Sequence, residues 1–170
     1  SASSVIFLFL LALAAGFGGL KKALARIPNG PLAPIGFGSL IRDPKKIIDL
    51  PKDFTYKVIS PAGDIMDDGL IVPPLHDGMC AINGKDGKLI IVRNHEVSKP
   101  KTSLGPFGYD NSRLNLIPEN KIFDRGASLK NPCRGGCTTV IYDTKNEKVT
   151  RHFLSLAGTE QNCAGGLTPN

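Results

Sequence analysis

Cys163 stands between the amide of Asn162 and the small-residue run Ala164-Gly165-Gly166, so little bulk keeps other groups away from its sulfur. A thiol flanked in this way is presented as a metal ligand or a nucleophile, or is a structural cysteine buried in a glycine turn. A second polar run, Arg93-Asn94-His95-Glu96, closes a strongly apolar strand. There Glu96 offers a hard oxygen ligand, His95 a ring nitrogen or a general acid, and Arg93 or Asn94 donors for anionic oxygens. Gly- and Pro-containing turns carry Asp64, Asp67, Asp68 and Asp77, carboxylates of the kind calcium prefers, although their spacing is not that of an EF-hand loop. Asp77 is singled out because Gly78 follows it and leads straight into a strand. The plain reading of each piece is a solvated turn or strand end. Two strand ends with ligand chemistry suggest one shared site, and a thiolate beside carboxylates would make it a mixed-metal centre.

The other cysteines are less informative. Cys80 lies in a strand and reads as core, while Cys133-Arg134-Gly135-Gly136-Cys137 fits a short disulfide or an incomplete zinc site that lacks a second ligand pair. No Gly-x-Ser-x-Gly elbow, phosphate-binding Walker loop or His-Glu-x-x-His helix is present, so serine-hydrolase, P-loop and zincin chemistry have no support.

The elements that must position these residues read as short strands, with 19 Gly and 13 Pro among 170 residues. Asp43 to Asp49 predicts a single helical turn, and Phe54 to Ser60 alternates as a half-buried strand does. Met79–Asn83, the turn Gly84–Gly87 and Lys88–Asn94 predict a hairpin whose Leu89–Val92 run, apolar on both faces, belongs inside a sheet. Thr138–Tyr142, a polar turn and Lys148–Leu156 predict a second hairpin. Between Ser98 and Pro132 no period is visible, which predicts an excursion packed over the fold or forming the rim of a site. The expected fold class is therefore all-β, with antiparallel hairpins. Successive hairpins ending in chemical loops suit the first blades of a β-propeller.

The net charge of +6 is spread in pairs such as Lys21-Lys22, without an arginine-rich stripe, and argues against nucleic-acid binding. Ser1 to Leu20 is uncharged, and Ala23-Leu24-Ala25 fits a signal-peptidase site. Residues 1–25 are thus expected to be a signal peptide or an N-terminal anchor, residues 26–36 a Pro/Gly linker, and residues 37–170 the folded part. Export to the periplasm or beyond is expected, with membrane contact only through this segment.

From about Phe37 onward, several pieces stand in one order: Leu50-Pro51, Phe54-Thr55-Tyr56-Lys57-Val58, Gly63-Asp64, Met66-Asp67-Asp68-Gly69 and Asp77-Gly78-Met79. Arg93-Asn94-His95-Glu96, Thr138-Thr139-Val140, Ser155-Leu156-Ala157-Gly158-Thr159 and Asn162-Cys163-Ala164-Gly165-Gly166 follow. In this the chain resembles the N-terminal part of the PhoX-type alkaline phosphatases. The resemblance implies a secreted, monomeric phosphomonoesterase on a β-propeller, acting on small phosphomonoesters through a centre of iron and calcium. It makes Cys163 an iron ligand, with Glu96 and Asp77 assigned as further metal ligands and Arg93, Asn94 and His95 as catalytic candidates. Family export is typically by the twin-arginine route, whose arginine pair this chain does not contain. Cys133 and Cys137 stand where the family usually has small residues. The family continues past Pro169 into a tryptophan-containing segment and a pair of glutamates, so the chain is expected to be an N-terminal fragment with an incomplete ion cluster, inactive by itself. The competing expectation is a secreted propeller scaffold or binding module that has lost the chemistry.

Overall fold

The structure, a computed structural model, describes residues 36–98, 104–126 and 131–168. The expected export segment and all but the last residue of the expected linker lie outside the described residues. Among those residues no helix is long and apolar enough to cross a membrane. The contacts divide the described chain into two units, residues 36–57 and 58–168.

In the first unit, β1 (Leu40–Ile41) pairs antiparallel with β2 (Leu50–Pro51). The helical turn expected between them does not form. Asp43 instead gathers the loop around its carboxylate, which accepts from the backbone N–H groups of Lys45 at 3.0 Å and Ile47 at 2.9 Å, and from the Tyr56 hydroxyl at 2.7 Å. Lys46 takes a left-handed φ of 56°, which a helix cannot continue through. The Tyr56 hydrogen bond, followed by the backbone donors, holds the Asp43 carboxyl down at about 2. Phe37 and Phe54 meet edge to face, with ring centroids 5.0 Å apart.

The second unit is one antiparallel sheet in the order β3 (His76–Asn83), β4 (Lys88–His95), β5 (Gly135–Asp143), β6 (Lys148–Thr159). Both expected hairpins are present, and the run Leu89–Val92 lies in β4, an inner strand. The first hairpin turns where Asp86 and Gly87 take φ of 57° and 75°. Opposite charges set the pairing of β4 with β5, Lys88 donating to the Asp143 carboxylate at 2.5 Å. That contact holds the Asp143 carboxyl well below the usual carboxylate range. The half-buried strand expected over Phe54–Ser60 is not found: only Thr55 carries an isolated bridge, and Val58 is exposed. Alternation supplies a strand's two faces, but a ladder also needs a partner strand.

The described part of the expected excursion, residues 104–126, packs over the sheet. Phe107 and Ile117 join Met66, Leu70, Val72, Leu154 and Ala157 in one buried cluster. The buried Arg134 ties this segment to the start of β5, donating to the carbonyls of Gly108 at 2.7 Å and Tyr109 at 2.8 Å.

The free edge of β6 is closed by loops. The Asp67 carboxylate accepts from His152 N–H at 2.8 Å, while Asp67 N–H donates to His152 C=O at 2.9 Å. The Asp68 carboxylate accepts from Leu154 N–H at 2.7 Å, Lys121 Nζ donates to Leu154 C=O, and Phe123 N–H donates to Ala157 C=O. Buried backbone groups need partners, and these side chains and loops replace a further strand.

Gly136 sits opposite Ala157 beside a register shift, where an added Cβ would fall on the Leu156 carbonyl oxygen and 3.1 Å from Ala157 Cα. Both obstacles are backbone, so the ladder itself must move. Gly136→Ala is expected to lower unfolding stability by about 1–3 kcal/mol, read from urea denaturation; an unchanged midpoint would contradict this packing.

Candidate functional site

Successive residues of a strand point to opposite faces, so the polar run that ends β4 is divided between two environments. Arg93 and His95 enter one face and are buried, at 5% and 0% exposure. Asn94 and Glu96 face the other way and are half-buried.

On the first face, Arg93 donates through Nη2 to Ser60 Oγ at 2.8 Å and to Thr138 Oγ1 at 3.1 Å, and its Nη1 lies 3.4 Å from His76 Nδ1. His95 Nε2 meets the same Thr138 hydroxyl at 2.9 Å, and Ser60 Oγ lies 3.2 Å from His152 Nε2. The rings of His76 and His95 meet edge to face at 5.1 Å. All three histidines of the chain therefore surround one guanidinium, among neutral oxygens. Burial first, and the Arg93 charge second, push them down to about 4 for His76, 3 for His95 and 4 for His152. Burial also pulls Arg93 down to about 10. The face is a hydrogen-bonded polar core in which only His76 Nε2 and Arg93 Nε, of the cluster's described side-chain atoms, are buried without a partner.

On the second face, the Asn94 side chain holds the segment that carries Cys163. Its Nδ2 donates to the Cys163 carbonyl at 2.5 Å and to the Ala164 carbonyl at 3.3 Å. Its Oδ1 accepts from the Cys137 thiol at 2.9 Å, and Asn162 Nδ2 reaches the same sulfur at 3.7 Å. The segment also rests against β3: a Cβ added to Gly78 would come within 2.5 Å of Gly165 N and 2.7 Å of Ala164 Cα. Asp77, next to that glycine, hydrogen-bonds Glu96, and this contact is the first cause of a Glu96 carboxyl raised above its ordinary range. The Cys163 residue itself is exposed.

The structure thus gathers Asp77, Asn94 and Glu96 with the Cys163 segment at one end of the sheet, and places Arg93 and His95 behind them. Asp67 and Asp68, weighed as calcium ligands, are engaged on the edge of β6. The disulfide or zinc reading of Cys133 and Cys137 is not met: both are free thiols, with Cys137 on Asn94 and Cys133 beside Glu160 at 3.9 Å. Sequence reasoning missed the contributions of Cys137 and Gly78. The signal for Cys137 was available, because a register set by the Lys88–Asp143 pair carries along β4 and β5 to place Asn94 opposite Cys137.

Two carboxyls in contact either share a proton or bind a cation, and oxygen donors of this kind suit calcium, whereas a thiol suits iron. The donor types therefore fit the expected metals. The described residues hold no group of three or more His, Cys, Asp or Glu side chains placed to ligate one ion.

These elements define the class of an all-β protein with antiparallel sheets, in which a cysteine segment rests beside a carboxyl pair at one end of the larger sheet. The family model for alkaline phosphatase PhoX matches residues 35–148, and the chain belongs to that family. The matched span includes Asp77 and Arg93 to Glu96, while Cys163 lies beyond it. No curated protein and no solved structure matches the chain. Its function is accordingly phosphatase-related.

The histidine core fixes a pH response. An unfolded histidine takes up a proton near 6.5, whereas these three resist protonation until about 3–4, so acid favours the unfolded chain. Their contribution is fully present above pH about 6.5 and is lost as pH falls through about 4. Thermal unfolding at fixed ionic strength should show a falling midpoint across that window. A flat profile between pH 7 and pH 4, set by the same pKa range, would refute the buried neutral cluster.

Proposed function

We propose that the chain is the N-terminal part of an exported, metal-dependent phosphomonoesterase built on a β-propeller, with β3 to β6 as one of its blades. The observation that carries this reading is the meeting of the Asp77–Glu96 carboxyl pair with the Asn94-held Cys163 segment, at one end of a sheet in a PhoX-family chain. A four-stranded antiparallel sheet in sequential order is the unit such propellers repeat. Iron would be held with the Cys163 thiolate, and calcium with Glu96 and Asp77. Bound there, the ions would neutralise the phosphoryl oxygens, activate an oxygen nucleophile and stabilise the leaving group.

The chain's own residues prepare that chemistry. Asp77 lies against Glu96 and raises its carboxyl above the ordinary range, and a cation bound there would be held by the oxygens of both. Asn94 presents a fixed amide beside the site, and Gly78 lets the Cys163 segment approach β3 closely. Arg93 and His95, expected to act on substrate, support the end of β4 from behind through Ser60 and Thr138. Substrates are small phosphomonoesters, and the protein acts as a monomer in the periplasm or outside the cell, delivered by its N-terminal segment.

Metal analysis and a phosphomonoester assay on the full-length protein that contains this chain test this. Cys163→Ala is expected to abolish bound iron and activity, and Glu96→Gln to lower calcium affinity by about 10-fold or more. A metal-free, inactive wild-type protein that folds normally would overturn the reading in favour of a non-catalytic scaffold.

A further inference from the structure

The Asn94 side chain touches both the Cys163 segment and β5. Its two ends are chemically opposite but nearly equal in shape, so the amide can be turned over unless its neighbours select an orientation. Two carbonyls, of Cys163 and Ala164, face Nδ2 and accept from it. A flipped amide would set Oδ1 against both. On the other side, the Cys137 thiol donates to Oδ1 at 2.9 Å. Cys137 is half-buried and stands opposite Asn94 in the β4–β5 ladder, so its Sγ is delivered there by register. Burial raises the thiol above its ordinary range, which keeps the donor proton in place. The Asn162 amide reaches the same sulfur from the far side. Cys137 is therefore linked to both ends of the segment: through Asn162 just before Cys163, and through Asn94 just after it.

We infer that Cys137 is a positioning residue of this site: acting through Asn94, its thiol sets where the Cys163–Gly165 backbone rests against Gly78 and so where the Cys163 sulfur is held. The inference needs only the geometry for the segment's position; its consequence for iron rests on the proposed function. Neither Cys133 nor a zinc ion is required. The sulfur serves as a hydrogen-bond donor, and its protonated state is the functional one. Oxygen in place of sulfur keeps a donor at this place, whereas a methyl group removes it.

The test uses the full-length protein that contains this chain, with Cys137→Ala, Cys137→Ser, Asn94→Leu and the double variant N94L/C137A. Two readouts are taken: backbone hydrogen exchange across residues 161–168, and iron bound per chain together with iron affinity. C137A is expected to speed exchange in this segment and to weaken iron binding by about 10-fold, the usual effect of removing an outer partner of a ligand. C137S is expected to restore both to near wild-type values. In the N94L background, C137A should add little, because its effect passes through Asn94.

Unchanged exchange in C137A overturns the inference, as does C137S as impaired as C137A, or full additivity in the double variant. If C137A does not fold, the serine variant and N94L still decide: a serine variant with loosened exchange sinks the idea. The two readouts also separate this inference from the reading beneath it. Exchange that responds as expected in a wild-type protein without iron leaves the positioning role standing and refutes the iron centre. Iron that binds normally to every variant, with exchange unaltered, does the reverse.

Discussion

The structure depends on what surrounds the Arg93 guanidinium. A buried cation is costly unless its donors are satisfied, and here Nη2 donates to the hydroxyls of Ser60 and Thr138 and Nη1 to the Ser60 carbonyl, with His76 close by, while Nε is buried without a partner. No ion pair to Arg93 is found among the described residues. Because the acceptors are neutral, each must be held in place by something else. Thr138 is fixed by its position opposite Arg93 in the ladder and by His95, and Ser60 by His152. These contacts join β4, β5, β6 and the segment leading in from Ser60. The inner strand is thereby locked in register and rotation. Once Arg93 is committed to one face, Asn94 must present itself on the other.

That coupling explains how a scaffold residue and a site residue can be chain neighbours with no shared contact. The polar run at the end of β4 supplies two different services, one per face. The site face is assembled from groups that bring little bulk: Gly78 and Gly165 allow backbone to approach backbone, and one amide spans the gap. The carboxyl pair of Asp77 and Glu96 lies on this side, and the contact with Asp77 raises the Glu96 carboxyl above its ordinary range.

Much of this was legible in the chain. The hairpins followed from polar turns between β-rich runs, and the inner position of β4 from an apolar stretch without alternation. The chemistry of Asn94, Glu96, Asp77 and Cys163 was visible from residue type and from the glycines beside them. Other parts were not. The turn at Asp43 depends on a side chain collecting backbone donors, which imitates helical composition without helical geometry. Residues 54–60 have a strand's pattern but no partner for a ladder. Arg93 and His95 looked equivalent to their neighbours because a list of residue types does not say which face each enters until a register is fixed. Proximity along the chain points Cys137 to Cys133, whereas its partner, Asn94, lies across the ladder.

The carboxylates of Asp67 and Asp68 have one further consequence. They cover the outward N–H groups of β6 with acceptors alone, and they carry negative charge to the rim of the sheet. A foreign strand arriving at His152 and Leu154 finds both N–H groups already engaged, so this stretch of the edge offers no template for growth.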